Sequence, residues 1–264
     1  MKTIDILGVR FTQSDKKDAY HEIEAMLSKK NNVRIFTPNA EILYKASRES
    51  ELISLLNSAD MLLPDGVGVV FASMLSGNRL PCRITGIDTA EYILELAANR
   101  RLSVFLLGGR VGIADNAKKK LEEKIPGLNI CGTYHGYFDR SGKENEKVVK
   151  IISDTHPDIL FVCLGFPAQE QWISENTAFI PTLRLSMGLG GSLDVWSENV
   201  HRAPKMIQKM GLEWLMRTFC DISRIRRLPY LFLFVTAVFK DKFKRNKQIM
   251  SRLAHNKDTQ INDK

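Results

Sequence analysis

Residues 158–178 read DILFVCLGFPAQEQWISENTA. After Asp158, Ile159 to Leu164 form an apolar run that closes on Gly165, and from Ala168 onward the apolar residues recur at helical spacing. A short β-rich run, a glycine and then a helix is half of a βαβ unit. A strand that is apolar throughout is one buried on both faces of a parallel sheet. The same alternation runs along most of the chain. The β-rich runs are VRIFT (33–37), MLLP (61–64), LSVFLLG (102–108), LNICGTY (128–134), DILFVCLG (158–165) and LRLSMG (183–188). Helically spaced stretches at 40–57, 67–76, 88–99, 112–124, 143–154 and 168–178 lie among them. The pattern predicts an α/β, Rossmann-like fold: a mainly parallel sheet flanked by helices. The first twenty or so residues add a small strand and helix to one edge.

At 264 residues and 44% apolar content the chain can bury one large core. The four cysteines (Cys82, Cys131, Cys163, Cys220) are scattered, with no C-x-x-C and no histidine at ligand spacing. They read as thiols of a reducing compartment, not as a disulfide or zinc framework. Asp5 interrupts the N-terminus before an apolar signal core could form, so a cytoplasmic location is expected. Charge is uneven. Residues 1–200 hold 23 Lys+Arg against 25 Asp+Glu, whereas residues 201–264 hold 15 against 5. A nearly neutral body with a basic last quarter points to an anionic partner for that quarter. The expected division is a catalytic α/β domain over 1–200, a basic helical appendage over 201–247 and a disordered tail over 248–264.

Open α/β sheets bind ligands beyond the carboxyl ends of their strands. The residues there are Thr37-Pro38-Asn39, Asp65-Gly66, Gly108-Gly109, His135-Gly136-Tyr137, Gly165 to Glu170 and Gly188 to Ser192. Five of these six strand ends carry glycine, which lets backbone approach a ligand and turn N–H groups toward phosphate. A dinucleotide fingerprint is not among them. LLGGRVG (106–112) is G-G-x-x-G, and no acid at the next strand end could hold a ribose.

Asp65 stands in Pro-Asp-Gly, a common turn sequence. It also ends a strand on the expected rim, where a carboxylate at a helix start can take a proton from a substrate hydroxyl. Asn39 suits an N-cap, and Thr37 shares its loop. Arg83 follows a helix, in a loop where Arg is often only a solvated charge. Gln169 opens a helix and could cap it. His135 orients a loop more readily than it binds metal. The chain has no D-x-D. Leaving-group charge would then fall to Arg, Lys or backbone N–H groups, with no metal or other cofactor expected.

Taken in order, TPNAEI (37–42), PDGVGVVFAS (64–73), RITGID (83–88), GTYHGYF (132–138), LGFPAQEQW (164–172), MGLGGSLDV (187–195), RAPKMIQKMGLEWLMR (202–217) and RIRR (224–227) resemble the successive motifs of the WecG/TagA/CpsF family of bacterial glycosyltransferases. The Thr in TPNAE is closer to the TagA type. The resemblance implies an inverting, metal-independent transferase. It would move a sugar, N-acetylmannosamine in TagA-like members, from a UDP-sugar to an undecaprenyl-diphosphate-linked GlcNAc for wall teichoic acid. Other members transfer glucose or N-acetylmannosaminuronic acid for capsule or exopolysaccharide. Carried over by motif, Asp65 is the base, with Thr37 and Asn39 beside it. Arg83, Arg217, Arg224 and Arg227 face the acceptor's diphosphate. Gln169 joins the glycine rim of Gly108, Gly109, Gly136, Tyr137, Gly165, Gly190 and Gly191 at the donor site. Phe166 and Ala168 depart from residues common in relatives, which bears on the donor sugar.

The apolar run LPYLFLFVTAVF (228–239) is 12 residues long, short of the ~20 that span a bilayer. It is flanked by Arg224, Arg226 and Arg227 before it and by Lys240, Lys242, Lys244, Arg245 and Lys247 after it. A helix lying in the headgroup region fits this better than a further core helix, and places the enzyme peripherally on the inner face of the plasma membrane. Nucleic acid is the competing anion. The aromatics Tyr230, Phe232, Phe234 and Phe239 and the lack of any nucleic-acid motif argue against it. A homo-oligomer stays open, as does the alternative of a soluble Rossmann-type enzyme with a free nucleotide ligand.

Overall fold

The computed structural model describes residues 2–29, 31–77, 79–200, 204, 206–207, 229–244 and 247. The expected strands assemble as one six-stranded sheet, every neighbouring pair parallel. They are β3 (Val33–Phe36), β4 (Met61–Leu62), β5 (Ser103–Gly108), β6 (Asn129–Tyr134), β7 (Ile159–Cys163) and β8 (Leu185–Gly188), in spatial order β4-β3-β8-β7-β5-β6. The fold is α/β and Rossmann-like.

Alternate side chains build two cores. Val104, Leu106, Ile159 and Phe161 point to one face, against α1 (Lys16–Leu27), α5 (Gly86–Arg100), α6 (Ile113–Lys124) and α9 (Ser192–Trp196). Phe105, Leu107, Leu160 and Val162 point to the other, against α2 (Ala40–Ala46), α3 (Ser50–Asn57), α4 (Val67–Leu75), α7 (Gly142–Asp154) and α8 (Ala168–Asn176). Burial on both faces is why these strands read as continuous apolar runs.

Two local differences from the sequence expectation have clear causes. The stretch 40–57 is two helices, not one: Ser47 Oγ donates to Tyr44 O at 2.7 Å and Glu49 is extended, a side-chain bond that competes with helix continuation. The N-terminus forms a separate antiparallel hairpin, β1 (Thr3–Ile6) with β2 (Val9–Thr12), instead of one added edge strand. The turn is made by Leu7 and Gly8, both at positive φ, which reverses the chain before it could join the main sheet.

Residues 229–244 are helical. One face docks on the body: Phe234 and Val238 are buried in the same core as α2 and α4, and the Tyr230 ring lies 5.9 Å from that of Tyr44 with Lys45 Nζ 5.3 Å from its centre. Burial of that face was not legible from the flanking charge alone. Arg217, Arg224 and Arg227, and the tail 248–264, lie outside the described residues. Phe234→Ala should weaken docking by about 3 kcal/mol, roughly a hundredfold in the equilibrium. Tryptic cleavage at Lys240 and Lys242 would report it; unchanged cleavage would show that docking does not rest on Phe234.

Candidate active site

Asp65 is placed by backbone. Past their paired residues β3 and β4 continue side by side, with Leu63 N–H donating to Phe36 O at 3.0 Å and Asp65 N–H to Pro38 O at 3.3 Å. Thr37, Pro38 and Asn39 therefore lie against Pro64 and Asp65 on the C-terminal rim. Ile84 N–H donates to Pro64 O at 3.0 Å, which draws the loop carrying Arg83 to the same point and presents the start of α5. There Gly86 N–H donates to Asp65 Oδ2 at 3.2 Å. The carboxylate faces the positive end of a 15-residue helix, a favourable place for an anion.

Gly86 also admits Thr37. A Cβ at this position would stand 2.8 Å from Thr37 Oγ1, closer than such carbons approach, so only glycine lets the strand-end hydroxyl rest on the helix start. Thr37 and Asp65 are half-buried. Asn39 is exposed, and its Oδ1 accepts Ile42 N–H at 3.1 Å as the N-cap of α2. Its turn-forming role and its place on the rim coexist.

A second crevice opens where β5 and β7 lie adjacent while their connections leave in opposite directions, β5 toward β6 and β7 toward β8. Such a switch point is where open α/β sheets take ligands. A cavity of about 1100 Å³ fills it, lined by Gly109 and Arg110 after β5, Gly136 to Arg140 after β6, Cys163 at the end of β7 and Leu164 just past it, and Asp194 and Asn199 beyond β8. That volume suits a ligand of nucleotide-sugar size. Its walls are close-set: Gly136 N–H donates to Gly109 O at 2.8 Å, and a Cβ at Gly136 would meet Leu164 Cδ2 at 2.9 Å. The loop above is internally tied, since Tyr137 N–H donates to His135 Nδ1 at 3.3 Å and Asp139 N–H to Glu144 Oε2 at 2.7 Å. His135 thus orients this loop. Burial pushes the Cys163 thiol up to about 12, so it is neutral and unsuited to nucleophilic attack. Among the described residues, Arg110 and Arg140 are the cations on the lining. Among the described residues no three His, Cys, Asp or Glu side chains stand together at metal-binding distance.

With this geometry in place, comparison with known proteins is decisive. The model of the Glycosyl transferase WecG/TagA/CpsF family matches residues 4–248. The chain belongs to that family. Among curated proteins it is similar to the N-acetylglucosaminyldiphosphoundecaprenol N-acetyl-beta-D-mannosaminyltransferase of Staphylococcus aureus strain MRSA252, at 35% identity over 91% of this chain and 94% of that one. The enzyme of the same name from strain NCTC 8325 matches with the same identity and coverage. The protein is a glycosyltransferase.

In this family member the expected site residues divide. Thr37, Asn39, Asp65 and Arg83 come together on the β3/β4 side of the rim, and Gly109, Gly136 and Tyr137 line the cavity on the other. Gln169 lies between, 5% exposed, with its amide engaged by protein: Oε1 accepts Gly165 N–H at 3.2 Å and Gly190 N–H at 2.8 Å, while Nε2 donates to Glu170 Oε1 at 2.9 Å. Gln169 braces the ends of β7 and β8, and the N–H groups of Gly165 and Gly190 face it. Sequence reasoning passed over Gly86, Arg110 and Arg140, and placed Glu170 on the rim without a role. Gly86 was visible beside a Thr85 helix cap, and Arg110 as the first cation after a glycine pair. Arg140 gave no signal, and the burial of Glu170 was not legible, because their neighbours come from other elements.

Glu170 carries a stability consequence. Burial raises its carboxyl to about 7, despite the bond from Gln169, and Oε2 has no hydrogen-bond partner. A folded value above the ordinary 4.5 means stability is full below that value and falls as pH rises toward 7, by up to about 3 kcal/mol. Urea unfolding should therefore show wild type losing stability between pH 5 and 8 relative to Glu170→Gln. Parallel pH profiles for the two would sink this account.

Proposed function

We propose that the protein transfers N-acetylmannosamine, with inversion, from a UDP-sugar to GlcNAc-diphospho-undecaprenol, a step of wall teichoic acid linkage assembly. The observation that carries this reading is the likeness, over nearly all of both chains, to enzymes whose name states that acceptor and that sugar. The site chemistry supports it. The acceptor hydroxyl attacks the anomeric carbon from the face opposite the nucleotide, and the C–O bond pair leaves with UDP. Asp65 takes the hydroxyl proton as the new bond forms, with Thr37 beside it. The nucleotide occupies the cavity at the β5/β7 switch point, where Arg110, Arg140 and loop N–H groups meet the diphosphate charge. Arg83, on the Asp65 side, faces the acceptor's diphosphate together with Arg217, Arg224 and Arg227. Gln169 acts from beneath, holding the loops that separate the two halves.

The appendage places the reaction at the membrane. No helix among the described residues is long and apolar enough to cross a bilayer, and the helix over 229–244 carries Lys240, Lys242 and Lys244 in its last turns, basic residues that suit the anionic cytoplasmic leaflet. The enzyme works there as a peripheral protein of the inner face.

Asp65→Asn keeps the turn and the size of the side chain but removes the base. Turnover should fall by about 10²–10⁴-fold with donor binding little changed; retention of more than about a tenth of the wild-type rate, with chemistry rate-limiting, would make Asp65 a turn residue. Transfer should also persist in EDTA. Loss of activity on chelation, restored by magnesium or manganese, would show that a metal carries the leaving-group charge instead of the arginines.

A further inference from the structure

Among the described residues, most of the large apolar side chains left exposed lie on two neighbouring helices. On α4, Val67, Phe71 and Met74 are 42%, 51% and 47% exposed. They recur at i, i+4 and i+7, one outward stripe, while Val69, Ala72 and Ser73 are buried beneath. On the helix over 229–244, Phe232, Phe239 and Phe243 are 73%, 42% and 74% exposed and share a second stripe, opposite the buried Phe234 and Val238. The two helices touch: a Cβ at Gly68 would lie 3.6 Å from Leu231 Cδ1 and 4.0 Å from Phe234 Cε1. Seven large apolar side chains on adjacent helices, counting Leu233 at 41%, exceed the scattered exposure ordinary on a soluble surface.

We infer that α4 is a second membrane-contacting element, and that its stripe and the Phe stripe of the C-terminal helix together form one face that seats on an anionic lipid surface. Charge selects this occupant. Lys240, Lys242, Lys244 and Lys247 are exposed on and just after the Phe-bearing helix, where long basic side chains reach lipid phosphates while the aromatic rings enter the interface. A protein partner with an apolar groove would not need that basic margin. The inference deepens the proposed function, because α4 starts two residues after Asp65. Its nine residues extend about 13 Å, and its first exposed member, Val67, is at the lip of the site. Seating α4 on the bilayer sets Asp65 at headgroup level, where the sugar of a diphosphate-linked lipid must stand. Anchoring by the C-terminal helix alone would fix a distance to the membrane but not the tilt of the site toward it.

The test uses full-length protein and sedimentation with phosphatidylcholine vesicles, with and without phosphatidylglycerol. The double variant Phe71→Ser/Met74→Ser should partition about tenfold less onto the anionic vesicles. Its thermal midpoint, its mass by light scattering and its transfer to a short-chain soluble acceptor should be unchanged. As a second probe that keeps the stripe apolar, Phe71→Trp should gain, relative to wild type, a blue-shifted emission that brominated phosphatidylcholine quenches. Unchanged partition of the double variant, or no spectral change for Phe71→Trp, overturns the inference. A drop from dimer to monomer with partition intact assigns the stripe to a second copy, and lost transfer to the short-chain acceptor with partition intact assigns it to the acceptor; either result overturns it too. If wild type transfers no sugar while both vesicle measurements respond as expected, the membrane face stands and the proposed reaction fails.

Discussion

A parallel sheet covered on both faces leaves its polar chemistry one place to go. Leu160, Phe161 and Val162 expose no surface at all, and their neighbours on β5 are as deeply set. A charge or hydroxyl in these strands would be buried without water. The strands therefore end abruptly, and the polar groups that could act on a substrate stand in the loops beyond them, with Thr37, Asn39, Asp65 and Arg110 within three residues of a strand end. Every feature of the site follows from that limit, including its division into a β3/β4 half and a β5/β7 half.

Within the first half, position is fixed by main-chain bonds more than by side-chain contacts. The bonds from Asp65 N–H to Pro38 O and from Ile84 N–H to Pro64 O align three loops from distant parts of the chain. Gly86 then contributes twice, through its N–H to Asp65 and through the missing Cβ that admits Thr37. A carboxylate held at a helix start by backbone costs little to keep in place during a reaction, since the donors do not have to reorganise. Gln169 plays the matching part between β7 and β8, with Glu170 fixing which way its amide points. The unpartnered Glu170 oxygen is the local cost of that arrangement.

The C-terminal helix carries two apolar faces with different exposure. Its 12-residue apolar run is too short to cross a bilayer and too long for a single docking stripe. One face joins the core through Phe234 and Val238, and the other stays outside with Phe232, Phe239 and Phe243.

The sequence by itself determined the sheet and the family. All six runs predicted as strands became the six parallel strands, because β-rich runs bounded by turns are local, and on β5 and β7 burial on both faces demands continuous apolar residues. The motifs carried Thr37, Asn39 and Asp65 for the same reason, since each follows within three residues on its own strand, and Arg83 lies in the loop just before α5. What only the tertiary structure decided was which loops meet. That β3, β4 and the start of α5 converge on Asp65 depends on strand order, and β4-β3-β8-β7-β5-β6 cannot be read from spacing, since a crossover of given length can reach either side of the sheet. The engagement of Gln169, the burial of Glu170 and the split of the C-terminal helix into an inner and an outer face have the same origin. Each is a contact between residues far apart in the chain, and nothing local in the sequence encodes it.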